Sequence, residues 1–193
     1  MSTVSHFTLA QYERMVEGGV FAVPGQQRVE LIRGEIRQMS PIGSRHACAV
    51  DWLAEWSFES TSRTETKVRI QGPTRIPELE SEPEPDILWL DRKKYATAHP
   101  CPDDIQLLIE VAESSLAMDL GEKMLLYAEA GIRDYWVVDL VADCVHVFRE
   151  PRPSGYASHS VHRGDEAIRP LAAAAAALVP GELFAATHES SSG

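Results

Sequence analysis

The sequence predicts a single domain of mixed α and β structure, of the α/β or α+β class. Apolar residues at helical spacing alternate with short apolar strands, in the order helix, hairpin, helix, strands, helix, strands. The chain has 193 residues and a hydrophobic content of 44%, which suit one domain with one sizeable core. We expect the domain to span residues 1–186 and the polar residues 187–193 to be a disordered tail.

The N-terminal half predicts two helices, a hairpin and a strand. Thr8 and Gln11 form a capping-box pattern at the start of a helix that stops at Gly18. The segment VELIRGEI turns at Arg33–Gly34, which is typical of a β-hairpin and places Glu30 on its first strand. A second helix over 44–60 and a strand within TETKVRIQG follow.

The C-terminal half predicts buried strands around one long helix. Residues 85–91 and the segment IQLLIEVA, which starts at 105, are short apolar strands. Residues 117–130 predict one helix ended by Gly131, and DYWVVDL and DCVHVFRE predict two more strands. Residues 162–184 should close the domain with a short strand and an edge segment, and the alanine run at 172–177 receives no function.

Charge and cysteine content restrict the function. The net charge of −11 argues against binding nucleic acid through the charge of the whole molecule, so any polyanion site must be local. Cys48, Cys101 and Cys144 are odd in number and widely spaced, which suggests neither a disulfide framework nor a thiolate zinc site. With no apolar segment of membrane-spanning length and no leader pattern, we expect a cytoplasmic protein without membrane contact.

Two acids interrupt the apolar strands. Asp86 stands at the start of one strand, and Glu110 stands near the end of the next. An ionised carboxylate among apolar neighbours is costly unless a cation, a set of donors or a raised pKa accompanies it. If the two strands are antiparallel neighbours, the two acids meet at one end of the sheet. Such a pair attracts a metal ion.

The expected ion is a hard divalent cation, Mg²⁺ or Mn²⁺. No His or Cys pair stands at zinc-ligand spacing, whereas carboxylate, carbonyl and water oxygens suit Mg²⁺. An ion held by few protein oxygens keeps positions for water and phosphate, as metal-assisted phosphodiester hydrolysis requires. Glu30 could add a ligand. Lys123, on the helix face of Leu120 and Tyr127, is the cation expected to point toward the acids.

Each of these residues also has a simpler explanation. Asp86 could accept hydrogen bonds from backbone N–H groups beside its strand. Glu110 could form a salt bridge with an arginine such as Arg133. Lys123 could be a surface lysine with only its stem covered, and Glu30 could lie on a solvated strand face.

The segments that carry these residues resemble a known family. EPDILWLD at 84–91 and LLIEVAESSLAMDLGEKMLLYAEAGIRDYWVVDL at 107–140, with VELIRGEI and MSPIGSRHACAV before them, are similar to the Uma-type restriction endonuclease family. That family lies in the PD-(D/E)xK nuclease superfamily. The resemblance implies a restriction-endonuclease-like core, a central mixed sheet flanked by helices, and Mg²⁺-dependent phosphodiester hydrolysis in DNA.

The resemblance also implies residue roles. Asp86 and Glu110 match the two motif acids, Val111 would offer its backbone carbonyl to the ion, and Glu30 matches a glutamate that the superfamily often supplies. Ala112 stands where the motif lysine is expected, two residues after the acid. In this family the lysine comes instead from the next helix, within a D-x-x-x-K-x-x-x-Y pattern that Asp119, Lys123 and Tyr127 reproduce, so that Lys123 would take that role.

Two points stay open at this level. Lys67 and Arg69 on the preceding strand could also reach the acids and replace Lys123 as the motif cation. The residues around Glu110 also differ from the serine-proline style of many relatives, which would alter the loop shape.

The sequence leaves more than one function open. The first is a metal-dependent DNA endonuclease, for which the analogy with superfamily nucleases makes a homodimer one option. The second is a non-catalytic module that keeps the nuclease fold and acts through protein–protein contacts, which the acidic charge favours. A hydrolase of another phosphoester is a third. His46 is expected to be a helix-surface or core histidine.

Overall fold

The computed structural model describes residues 5–22 and 28–188. Its helices are α1 (Leu9–Glu17), α2 (Ser44–Ser60), α3 (Leu116–Asp119), α4 (Glu122–Glu129) and α5 (Pro180–His188). Its strands are β1 (Val29–Ile32), β2 (Glu35–Gln38), β3 (Thr66–Ile70), β4 (Ile87–Asp91), β5 (Ile105–Ala112), β6 (Asp134–Asp139), β7 (Cys144–Arg152) and β8 (Gly155–His162). Within those ranges no helix is both long enough and apolar enough to cross a bilayer.

A six-stranded mixed sheet forms the centre of the fold. The strands follow the order β3-β4-β5-β6-β7-β8, so each strand pairs with its neighbour in sequence. The pair β5 and β6 runs parallel, because α3 and α4 connect these strands and return the chain to the same end of the sheet. The other four pairs in this sheet are antiparallel. The predicted mixed sheet flanked by helices is therefore confirmed.

Helices cover both faces of the sheet. On one face, residues of α2 and α5 share a core with β4–β7, and Trp56 of α2 stacks on Trp89 with ring centroids 5.2 Å apart. On the other face, Leu126 and Tyr127 of α4 pack with Tyr135 of β6. The strands β5 and β6 are buried on both faces, which explains their nearly continuous apolar sequence.

The predicted N-terminal helix and hairpin form a smaller layer beside the sheet. The Thr8 side chain caps α1 in a capping box with Gln11. The turn between β1 and β2 has positive φ angles at both central residues, 49° at Arg33 and 81° at Gly34, as a two-residue hairpin turn requires. Glu30 lies on β1 in this hairpin.

The predicted helix over 117–130 is broken in the structure. It consists of α3 and α4, separated by Leu120 and Gly121. Gly121 has φ −110° and ψ −99°, and a Cβ atom at this position would lie 2.6 Å from the carbonyl oxygen of Ala117. The break is therefore tied to glycine, and the hydrophobic spacing of the sequence did not reveal it.

The C-terminal segment also differs from the prediction. The predicted short strand is a single bridge between Ile168 and Leu178, and residues 172–177 form turns and loop. The unpredicted helix α5 packs Leu183 and Phe184 against the core, and it includes Thr187 and His188 of the expected tail. Burial against the sheet outweighs the weak periodicity of this segment. Residues 189–193 lie outside the described residues.

Candidate functional site

Asp86 and Glu110 come together because β4 and β5 are antiparallel. Ile87 pairs with Ile109, so the residue before Ile87 lies beside the residue after Ile109. Both acids are buried. The sequence-based expectation that these strand ends coincide is met by the register of the sheet.

Lys123 connects Glu110 to Glu30. Its Nζ atom lies 3.2 Å from Oε1 of Glu110 and 3.0 Å from Oε2 of Glu30. The side chain is only 6% exposed, so this lysine is not a surface residue. Glu30 is buried as well, and its Oε2 also accepts a hydrogen bond from the Glu84 N–H at 3.3 Å. The structure thus brings all four predicted side chains, Glu30, Asp86, Glu110 and Lys123, to one place.

Burial and charge shift the pKa values of this group. Burial raises the pKa of Glu110 well above its ordinary value, although the ammonium of Lys123 opposes the shift. Burial alone would lower the pKa of Lys123, but the carboxylates of Glu110, Glu30 and Asp119 outweigh it and raise that pKa. Lys123 therefore keeps its proton, and it acts as a donor and a positive charge.

Tyr127 completes the surroundings of Glu110. Its hydroxyl donates to Oε1 of Glu110 at 2.8 Å, the same oxygen that Lys123 contacts. Burial raises the pKa of the Tyr127 hydroxyl well above its ordinary value, so the phenol stays protonated. Two donors on Oε1 hold the carboxylate in one orientation and leave Oε2 as the atom for another ligand.

Asp86 is held by three donors or possible donors. The N–H of Val111 donates to Oδ2 of Asp86 at 2.9 Å, and Nε2 of His46 lies 3.2 Å from the same atom. The Gln71 side chain donates to Oδ1 at 3.2 Å. Burial lowers the pKa of His46, but its contact with Asp86 outweighs this and raises the pKa overall. The simpler explanation of Asp86, hydrogen bonding to backbone, therefore holds together with its place beside Glu110.

Asp119 is a further buried acid of this region. Its Oδ2 accepts a hydrogen bond from the hydroxyl of Ser115 at 2.5 Å. Burial raises its pKa to about 6, while the charge of Lys123 and the hydrogen bond from Ser115 oppose the rise. Asp119 is the first residue of the D-x-x-x-K-x-x-x-Y pattern, whose lysine and tyrosine are Lys123 and Tyr127.

These residues lie along a cleft of about 470 Å³. The cleft is acidic. Its lining includes six carboxylates for two permanent cations, Arg28 and Lys123, and Arg28 is in turn paired with Glu84. The six acids are Glu30, Glu84, Asp86, Glu110, Glu113 and Asp119. An acidic cleft of this kind favours a bound cation over a bare polyanion.

The sequence left other cations open as partners of the buried acids, and the structure places them away from Glu110. Lys67 and Arg69 lie over the ring of Tyr95, at 5.4 Å each, and neither lines the cleft. Arg133 is exposed, and Glu110 bonds to Lys123 and Tyr127 instead. Lys123 is therefore the cation that reaches Glu110.

Four residues of this region were not assigned to the site from the sequence. His46, Gln71 and Tyr127 contact the predicted acids, and Asp119 lines the same cleft. Asp119 and Tyr127 stand four residues before and after Lys123, and this spacing was the available signal. His46 gave no comparable signal, because nothing in the sequence places the start of α2 beside the start of β4.

The carboxylates of the cleft do not form a closed cage for a hard divalent ion. In the chain apart from its undescribed segments, the one group of three His, Cys, Asp or Glu residues with all ligand atoms within 4.8 Å is Asp139, Cys144 and His146. The acids of the cleft are spread more widely, around the ammonium of Lys123. Two carboxylates, a backbone carbonyl and water are nevertheless a sufficient set for Mg²⁺, which keeps several waters in proteins.

Several basic residues that do not line the cleft are paired with acids elsewhere. Arg45 pairs with Asp143 at 2.7 Å, Arg75 pairs with Glu13 at 2.5 Å, and Lys93 pairs with Asp104. Lys94 is exposed. A broad basic surface beside the acids is therefore not formed by these residues in the described part of the chain.

The chain combines a mixed sheet flanked by helices with a buried group of carboxylates and one lysine. The chain belongs to the Uma2 family, described as "Putative restriction endonuclease", whose model matches residues 9–179. This confirms the resemblance found in the sequence, and the family description supports a nuclease function.

A solved structure shares the fold. It is the crystal structure of "a putative nuclease belonging to DUF820" from Anabaena variabilis ATCC 29413, with a TM-score of 0.75 and 15% identity over 94% of this chain and 99% of that chain. At that identity the likeness establishes the fold alone. No curated protein matches the chain.

Proposed function

We propose that the protein is a divalent metal-dependent DNA endonuclease that hydrolyses phosphodiester bonds at this cleft. The observation that carries the proposal is the buried contact of one protonated lysine, Lys123, with Glu110 and Glu30, directly beside Asp86. Such a group of charges is costly to bury, and a structural role alone would be served as well by apolar residues.

In this proposal Asp86, Glu110 and the backbone carbonyl of Val111 hold Mg²⁺ or Mn²⁺, and Glu30 contributes directly or through water. The donors are all oxygen atoms, which suits both ions. When bound, the ion supplies charge to offset the phosphate and lowers the pKa of a coordinated water. It would also neutralise part of the acidic cleft, which otherwise repels DNA.

Lys123 has a defined part in the reaction. Because its raised pKa keeps Nζ protonated, it cannot accept the proton of the attacking water. It instead orients that water by hydrogen bonding and stabilises negative charge on the phosphate oxygens. Hydrolysis adds the water oxygen to phosphorus and breaks one P–O ester bond, and the departing oxygen takes up a proton.

The experiment is nicking of supercoiled plasmid DNA with Mg²⁺, Mn²⁺ or EDTA at fixed salt. Glu110→Gln and Lys123→Met should each lower the nicking rate at least 100-fold. The first removes a ligand of the ion, and the second removes a positive charge that acts on the reacting phosphate. Exposed matched controls, Glu78→Gln and Lys94→Met, should cut at the rate of the wild type. Equal cutting by wild type and Glu110→Gln would refute this site.

The acidic cleft and the paired basic residues favour a second candidate, a non-catalytic module of the same fold that binds another protein. The same assay separates the two. Wild-type protein that binds Mn²⁺ or Mg²⁺ by calorimetry but cuts no single-stranded, double-stranded or supercoiled DNA would support the module. Metal-dependent nicking that both cleft variants lose would exclude it.

A further inference from the structure

Three side chains with metal-ligand chemistry meet on the β6–β7 hairpin. Asp139 is the last residue of β6 and pairs with Cys144, the first residue of β7. His146 stands two residues after Cys144, so both side chains point to the same face of the strand. All three ligand atoms lie within 4.8 Å of one another. Asp139 and Cys144 are buried, and His146 is partly exposed.

The turn holds Asp139 with one oxygen directed at the cluster. Its Oδ1 atom accepts hydrogen bonds from the backbone N–H groups of Val141 at 2.8 Å and Ala142 at 2.9 Å. Its Oδ2 atom is the one that faces His146, at 3.9 Å from Nε2. Two backbone donors hold this carboxylate in one orientation before any ligand binds.

His146 is oriented in the same way. Its Nδ1 atom lies 3.1 Å from Nε2 of His159 on β8, so a proton on Nδ1 donates to His159 and leaves the Nε2 lone pair for a ligand. A second residue that fixes the tautomer is typical of metal-binding histidines.

The distances fit a tetrahedral zinc ion. Sγ of Cys144 lies 3.6 Å from Nε2 of His146. Bond lengths of about 2.3 Å to sulfur and about 2.05 Å to nitrogen place two tetrahedral ligands roughly 3.6 Å apart. The same geometry requires roughly 3.4 Å between nitrogen and carboxylate oxygen. The distance of 3.9 Å in the structure is about 0.5 Å longer than this value.

We propose that Asp139, Cys144 and His146 form a zinc site, with the fourth position open to water or a further ligand. One thiolate, one imidazole and one carboxylate match the preference of Zn²⁺ and contrast with the all-oxygen cleft. Two of the ligands are anionic, so they offset the charge of the ion.

A simpler explanation of the cluster is a hydrogen bond between Cys144 and His146 alone. That contact does not account for the third group, Oδ2 of Asp139, directed at the same nitrogen. The sequence concealed the site because Cys144 and His146 are separated by a single residue and Asp139 belongs to the preceding strand. Only the antiparallel pairing of β6 and β7 brings the three together.

The test is metal binding by the full chain, independent of nuclease activity. Apoprotein is titrated with Co²⁺, and the thiolate-to-cobalt absorption band is followed. Zn²⁺ affinity and stoichiometry are measured by competition with a chromophoric chelator. The wild type should bind one Zn²⁺ and show the thiolate band. Cys144→Ser should lose the band and bind Zn²⁺ at least 100-fold more weakly, whereas Cys48→Ser and Cys101→Ser should match the wild type.

Two further variants test the other parts of the site. His146→Asn should also abolish tight Zn²⁺ binding, with circular dichroism showing that the fold is kept. His159→Phe retains the stacking of this ring on Phe148, at 4.3 Å, but removes the partner of Nδ1. Its Zn²⁺ affinity should fall about 10–100-fold.

The proposal is overturned if the wild type fails to bind one Zn²⁺ per chain. It is equally overturned if the thiolate band persists in Cys144→Ser. Mg²⁺-dependent nicking by Cys144→Ser should equal that of the wild type, because the cleft does not use this residue. The zinc measurements therefore test the zinc site independently of the nuclease proposal.

Discussion

Replacing Lys123 by methionine is expected to destabilise the protein strongly. Methionine keeps most of the side-chain volume and removes the ammonium that lies 3.0 Å from Glu30 and 3.2 Å from Glu110. The cost comes from the acids that remain, because they keep their burial and lose their cation. The variant therefore tests the burial of this charge group apart from any catalytic role.

The magnitude follows from the contacts. A unit charge pair at 3.0–3.2 Å contributes roughly 5 kcal/mol at an effective dielectric constant of about 20. Two such contacts are opposed by the repulsion between the two acids and by several kcal/mol for removing the ammonium from water. The net loss of unfolding free energy on removing one buried partner is about 3–5 kcal/mol.

The assay is urea unfolding at pH 7.5 in EDTA, followed by circular dichroism. The control is Lys94→Met, the same chemical change at an exposed lysine, which should alter the unfolding free energy by less than about 0.5 kcal/mol. Mg²⁺ should restore part of the lost stability of Lys123→Met, since a divalent ion neutralises the same acids. A loss below about 1 kcal/mol, as for a solvated ion pair, would refute the buried-charge argument.

Two other substitutions probe the fold and its pH dependence. Gly121→Ala should lower the unfolding free energy by about 1–3 kcal/mol in urea denaturation, because the new Cβ atom would meet the Ala117 carbonyl oxygen at 2.6 Å. Unchanged stability would show that the α3–α4 break does not require glycine. Burial raises the pKa of Glu82 to about 7, and its buried Oε2 has no hydrogen-bond partner in the described structure. The pKa of Glu82 is higher in the folded protein than in the unfolded chain, where it is about 4.5, so this group stabilises the folded protein below pH 4.5. That stabilisation is lost as the pH rises through about 7, the folded-state pKa. Relative to Glu82→Gln, the wild type should therefore lose about 1–2 kcal/mol between pH 4.5 and 8, after allowance for solvent screening. The control Glu78→Gln, at an exposed glutamate, should have the same pH dependence of stability as the wild type. If Glu82→Gln also had the same pH dependence as the wild type, the raised pKa of Glu82 would be contradicted.

Much of the fold follows from local patterns in the chain. Local features could be predicted because each depends on residues that are close together in the sequence. They are the capping box at Thr8, the Arg33–Gly34 turn and the apolar strands. The pairing of Asp86 with Glu110 was also foreseeable, since it needed only antiparallel neighbours. The helix α5 was not, because it depends on packing against distant residues. The break at Gly121 was not either, although its close contact is local, with the Ala117 carbonyl oxygen, because the apolar spacing continues through the break.

The sequence by itself determined the mixed α and β class, the family resemblance and the two acids whose position in apolar strands demands compensation. Only the tertiary structure decided which groups compensate them. Lys123 follows a helix break and reaches Glu30 on a separate hairpin, and His46 comes to Asp86 from the start of another helix. The reason is physical: charge interactions act through space at a few ångströms, and only the packed sheet and helices bring these side chains that close.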